Sequence, residues 1–136
     1  MRSVVFLCLI FVVQFTFAQE TFSLESDKSM ESVFSSLSED KSVDGLIEDN
    51  SMCSFDVQSD NFNIRSKKSV MFSTNIKAKI EMEFSDSEVV EIRIVEFQYL
   101  NKNDKGPKSY KWTSVNTEKD KFNSEALIKY LKNQYL

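Results

Sequence analysis

Histidine is absent from this 136-residue chain, which removes imidazole acid–base catalysts, Ser-His-Asp and Cys-His nucleophile systems, and His-containing zinc sites. Two glycines and one proline leave no room for a Gly-rich phosphate loop or a Gly-rich oxyanion loop. The chemistry that survives is that of carboxylates and of Ser-Lys pairs. Glu81, Glu83, Glu88 and Glu91 can approach one another across a hairpin, and paired carboxylates do acid–base work or bind Ca²⁺. On a wet strand face the same residues ordinarily serve as solvating charge. No Ser-Lys spacing is diagnostic, so the sequence assigns no catalytic residue, no metal ligand and no cofactor.

Binding chemistry has better candidates. Phe97, Tyr99, Tyr110 and Trp112 lie on two strand-like stretches joined by the 101–108 segment. If exposed together, their rings form a platform for sugars, peptides or another protein; the alternative is that they belong to the core. Lys102, Lys105, Lys108 and Lys111 cluster on and beside the same segment. They can meet lipid phosphates or an acidic partner, or simply keep a hairpin tip and a sheet edge soluble. Cys53 alternates in phase with Phe55 and Val57, the pattern of a buried, inert thiol; the alternatives are a reactive thiol or an intermolecular disulfide.

The start of the chain reads as an address. Arg2 precedes the apolar run Val4–Val13, and Thr16 and Ala18 precede the polar Gln19-Glu20. That order is a secretory leader, and a spanning helix needs about 20 apolar residues. The expected products are a leader at 1–18 and an extracytoplasmic, periplasmic or secreted domain at 19–136, with no transmembrane segment after cleavage. One cysteine leaves with the leader, so the remaining chain forms no internal disulfide. Charge is uneven: residues 19–58 carry ten acids and two bases, net −8, whereas 59–136 carry eleven acids and fourteen bases, net +3. An acidic whole with no basic helix sets nucleic acid aside as a partner.

Elements able to position these residues follow from periodicity. Glu20–Glu25 alternates as a short strand. Ser26 and Asp27 start a helix whose stripe is Met30, Val33, Phe34 and Leu37. Residues 38–51 break the period and read as a connection turning at Gly45. Cys53–Val57, Phe62–Ile64 and Val70–Phe72 make one or two strands. Ile76–Phe84 is the clearest strand, with Ile76, Ala78, Ile80, Met82 and Phe84 on one face and Lys77, Lys79, Glu81 and Glu83 on the other. The 101–108 segment is a loop turning at Gly106-Pro107, and Ser109–Val115 is a strand. Asn123-Ser124 caps a last helix whose stripe is Leu127, Ile128, Leu131 and Tyr135.

Register follows from matching faces. Keeping Ile80, Met82 and Phe84 on the side of Val90, Ile92 and Ile94 requires an odd loop, taken as three residues. Phe84 then opposes Val90, Glu81 opposes Arg93, and Glu83 opposes Glu91, the last at some cost. After Ile94 the apolar phase changes, so that Val95, Phe97 and Tyr99 fall where Glu91 and Arg93 had been. Either a β-bulge returns them to the core, or the outer face becomes apolar at that end.

The expected fold is α+β: a two-layer sandwich with an antiparallel sheet of four to six strands and both helices on one face, in the order β-α-β4/5-α. This layout, with the leader and the His-free, Gly-poor composition, resembles small extracytoplasmic bacterial domains of uncharacterised function with a TBP-like fold. The resemblance covers residues 20–136, rests on element order, and implies a fold without a function. Cystatin-like and PepSY-like domains also lay a helix on an antiparallel sheet, but no cystatin inhibitory loop pattern is visible. The functional expectation is a non-enzymatic binding module for an unknown protein or envelope component. The rival is a small carboxylate-based hydrolase or metal-binding domain.

Overall fold

The long alternating segment at the centre of the chain becomes the central strand of the structure, a computed structural model that describes residues 21–66, 68–102, 108 and 110–136. In chain order the elements are β1 (Thr21–Glu25), α1 (Met30–Glu39), β2 (Val43–Asp49), β3 (Met52–Arg65), β4 (Met71–Phe84), β5 (Val89–Asn101), β6 (Lys111–Ser114) and α2 (Lys121–Tyr135). The fold is α+β, with a six-stranded antiparallel sheet and two helices. The strands run β2-β3-β4-β5, and two short strands share the far side of β5: β1 along Val89–Arg93 and β6 along Gln98–Asn101.

The β4–β5 hairpin has the register that face matching requires. Phe84 opposes Val90, Glu81 opposes Arg93 and Glu83 opposes Glu91. Ser85 and Val89 close the loop through the Ser85 N–H on the Val89 carbonyl, 3.2 Å, leaving the three residues Asp86–Glu88. Glu88 takes the left-handed conformation, φ 59°, as the last position of such a loop requires. The β3–β4 turn is built alike: Ser66 N–H donates to Val70 O at 2.9 Å, and Ser69 is left-handed, φ 62°.

The phase change after Ile94 is resolved by a bulge. Ile80 opposes Ile94 but Lys79 opposes Glu96, so Val95 is one residue extra and the alternation resets. Phe97 and Tyr99 then oppose Ala78 and Ile76 on the core side. A second bulge at Asp60-Asn61 does the same for β3, joining Phe55–Val57 and Phe62–Ile64 in one strand. These insertions let each long strand bury one apolar face from end to end.

Both helices contribute to one core. Val33 and Leu37 of α1, and Leu127, Ile128, Leu131 and Tyr135 of α2, join Phe55, Val57, Ile80, Ile92 and Phe97 in a single buried cluster. Each fully buried Leu or Ile contributes about 1.5–3 kcal/mol over leaving it exposed. The other face of the sheet carries the exposed Asp56, Gln58, Lys79, Glu83, Glu91 and Glu96.

Three local expectations are corrected. α1 is capped by Ser29, whose hydroxyl accepts from Ser32 N–H at 3.2 Å, not by Ser26-Asp27. Residues 43–49, expected as a connection, form the edge strand β2, with a bulge between Asp44 and Ile47 at the left-handed Gly45, φ 60°. An edge strand that is bulged and acidic lacks the apolar alternation that betrays a strand. At the far helix the cap is Asp120, whose carboxylate accepts from Asn123 N–H at 3.0 Å. Asn123 instead bonds the backbone of β3, accepting from Arg65 N–H at 2.9 Å and donating to Arg65 O at 2.8 Å. Because β2 pairs β3 only over Met52–Val57, the amide of Asn123 takes the place of a neighbouring strand at the opposite tip.

Candidate binding surface

The four aromatic candidates do not form one platform. Phe97 is 2% exposed, edge-on to Phe62 at 6.1 Å between ring centroids. Tyr99 is half-buried and edge-on to Phe72 at 5.7 Å. The Val95 bulge accounts for both, because it turns these two rings to the side that the helices cover. Trp112 opposes Leu100, one residue out of phase with Tyr99, and is 43% exposed. The Lys77 ammonium lies 4.3 Å from its ring centroid, a cation–π contact. Tyr110 is half-buried just before β6. Lys102, Lys108 and Lys111 are exposed; Lys105 and the Gly106-Pro107 turn lie outside the described residues.

What the structure adds to Trp112 comes from elsewhere in the chain. Val70 and Met71, at the β3–β4 turn, are 58% and 50% exposed, and Phe122, in the first turn of α2, is 41% exposed. The Arg65 guanidinium sits 4.4 Å from the centre of the Phe122 ring. Asn123 fixes that arrangement, since it bonds the Arg65 backbone on one side and the Asp120 carboxylate, 2.7 Å away, on the other. Beside them, Arg65, Ser69, Tyr99, Thr113, Asn116 and Lys119 line a groove of about 500 Å³. The sequence carried two signals for this end: the Lys67-Lys68 step directly before Val70-Met71, and a phenylalanine at 122 that is off the buried stripe of its helix.

Most of the charge divides along the strands. Arg65, Lys68, Lys102, Lys108, Lys111 and Lys119 are exposed at the end that holds the β3–β4 turn and the start of α2, with the exposed acid Glu118 beside Lys119. The opposite end presents Glu25, Asp27, Asp49, Asp86 and Glu88, also exposed, with the cation Lys28 among them, around a groove of about 390 Å³ bounded by Asp27, Lys28, Asp86, Glu88 and Met30. The 14 residues of β4 hold the two ends roughly 40 Å apart. The two hairpin turns thus differ in charge, with the exposed Lys68 at one and Asp86 and Glu88 at the other.

Other reactive groups are engaged in the structure. Glu81 is paired with Arg93 at 2.9 Å, and Glu83 faces Glu91 on the exposed side of the sheet. Among the described residues no three His, Cys, Asp or Glu side chains gather to hold a metal ion. Cys53 is buried, and burial, helped by the charge of Glu48, raises its thiol pKa. Where α1 meets β2, the Asp40 carboxylate accepts from Ser42 Oγ at 2.6 Å, Ser42 N–H at 2.8 Å and Tyr135 Oη at 2.7 Å. These donors, the Ser42 hydroxyl foremost, hold its pKa below the usual value. Burial, and then the bond to Asp40, push that of Tyr135 well above its usual value. A carboxylate held by three donors pins a corner of the fold and has little proton affinity left for catalysis.

No protein-family model matches the chain, and neither a curated protein nor a solved structure does. Among the described residues no helix is long and apolar enough to cross a membrane.

Proposed function

We propose that this protein is an extracytoplasmic, non-enzymatic binding module that meets a protein or another envelope component with the basic end of its sheet. One observation carries the reading. Of the five large apolar side chains that stand out as exposed among the described residues, four (Val70, Met71, Trp112 and Phe122) lie at that end, the fifth being Ile47. Exposed apolar groups that gather beside cations, on a molecule that otherwise buries its apolar residues, mark a contact surface. Trp112, Lys102 and Lys108 carry over from the residues singled out by pattern; Phe97 supports the surface from beneath. The leader-like residues 1–18, which lie outside the described residues, support the proposed location, and the β-α-β5-α order supports the TBP-like assignment as part of the same proposal.

A photo-crosslinking benzophenone placed at position 71 or 112 of the chain, expressed in its own cells, tests this reading. Adducts are expected from both positions and not from position 83 or 91, at the far end of the exposed sheet face. Equal labelling from all four positions, or none from 71 and 112, refutes it.

A further inference from the structure

Resting on that reading, we propose that the component met by the basic end is the surface of an anionic phospholipid bilayer. The four apolar side chains there do not form a continuous patch of one element. They project from the β3–β4 turn, from β6 and from the first turn of α2, and Arg65, Lys68, Lys111 and Lys119 are exposed on or beside the same segments. A protein partner buries a contiguous apolar centre inside a polar rim. Apolar and cationic side chains exposed together on three separate segments at one end suit instead a headgroup layer, where rings and thioethers dip between acyl chains while ammonium and guanidinium groups stay among phosphates. Tryptophan is the residue most at home at that depth.

Charge placement supplies a second argument. The chain is acidic overall, net −4, and a uniformly acidic body is repelled by an anionic surface. Here the acids of the β4–β5 loop and the β1–α1 connection lie at the far end of the strands, beyond the Debye length of about 8–10 Å. Approach by the basic tip is attractive and approach by the acidic tip repulsive, so the molecule stands on the membrane in one orientation.

Trp112 is the single tryptophan and lies in the surface itself, so its own emission reports docking. Residues 19–136, which contain every described element and the whole core cluster, are mixed with vesicles of phosphatidylglycerol and phosphatidylcholine, and with phosphatidylcholine alone, at low salt. The expected result is co-sedimentation and a blue shift of Trp112 with the anionic vesicles only, reversed at about 0.5 M salt. Each of Lys111→Gln and Lys119→Gln lowers partitioning about fivefold, and Met71→Ser lowers it at unchanged salt dependence. Asp86→Asn, at the far tip, leaves it unchanged. Absence of binding to anionic vesicles, equal binding to neutral ones, or the same Trp112 shift with inorganic phosphate alone overturns the proposal. Thermal melts of each variant ensure that lost binding is not lost folding. If vesicles fail while positions 71 and 112 still crosslink a protein, the lipid assignment falls and the binding module stands. If both experiments fail, both fall.

Discussion

Asn123→Ala removes the side chain that ties the basic end together, and its cost follows from the bonds it makes. Asn123 is 1% exposed; its amide satisfies the Arg65 N–H and C=O and also donates to Asp120. Alanine leaves two backbone groups at the tip of β3 without their partner. Each such loss costs about 1–3 kcal/mol where water cannot replace the partner and about 1 kcal/mol where it can. Arg65 is an exposed residue, so the low end applies to at least one group, and the sum is about 2–4 kcal/mol. For a domain of this size that lowers the melting temperature by roughly 10 °C. Asn123→Asp separates the contributions: it keeps the acceptor for Arg65 N–H but loses the donor, and sets a carboxylate against the Arg65 carbonyl and the Asp120 carboxylate. It should therefore be no more stable than Asn123→Ala. The assay is thermal and urea unfolding followed by circular dichroism. A change of less than about 2 °C for Asn123→Ala would refute the view that this amide stands in for a missing strand. Because Phe122 is the neighbouring residue and stacks under Arg65, the variant should also loosen the proposed contact surface, read as weaker Trp112 response to anionic vesicles.

Other perturbations test other parts of the fold. Tyr135 has a pKa raised above its ordinary 10.0, so its contribution to stability is complete below pH 10 and is lost as pH rises beyond it. Asp40 has a pKa lowered from 3.8, so its contribution is present above that pH and is lost on acidification below it. Tyr135→Phe should consequently flatten both the alkaline and the acid limbs of the stability profile, measured by urea midpoints from pH 3 to 11. Gly45→Ala places a side chain at φ 60° with its Cβ 3.1 Å from an Asp56 oxygen; a loss of about 1–2 kcal/mol is expected in urea, and an unchanged midpoint would show that β2 lacks this bulge in solution. Glu91→Lys converts the like-charged Glu83–Glu91 pair into an attractive one and should stabilise by about 0.2–1 kcal/mol, with the gain shrinking as salt is added.

How much of this was legible in the residues varies by element. The β4–β5 register could be read because both strands alternate cleanly and a shift of one residue would turn every apolar side chain outward. The stripe of α2 was equally plain, and Leu127, Ile128, Leu131 and Tyr135 are all buried. β2 was not legible, since its seven residues VDGLIED hold a bulge and three acids, and it pairs because Asp40, Ser42 and Tyr135 pin its start. Asn123 beside Ser124 has the composition of a helix cap; only the proximity of β3 gives its amide a different task. Trp112 and the lysines at 102, 105, 108 and 111 are legible as candidates for binding, whereas nothing in the sequence pattern gathers Val70, Met71, Phe122 and Arg65 with them.

Residue order alone determined that the alternating stretches are strands, which face of β4 is apolar, and that histidine-based chemistry is closed to the chain. Those are local properties, set by side-chain type and by periods of two and 3.6 residues. Tertiary structure decided which way Phe97 and Tyr99 turn, because the bulge at Val95 forms only when a strand must bury both halves of its length against the same core. It also decided that Arg65, Val70 and Met71 share one end with Lys111–Phe122. Antiparallel pairing folds the β3–β4 turn, β6 and the start of α2 onto the same tip, and it sends the acidic turn to the other.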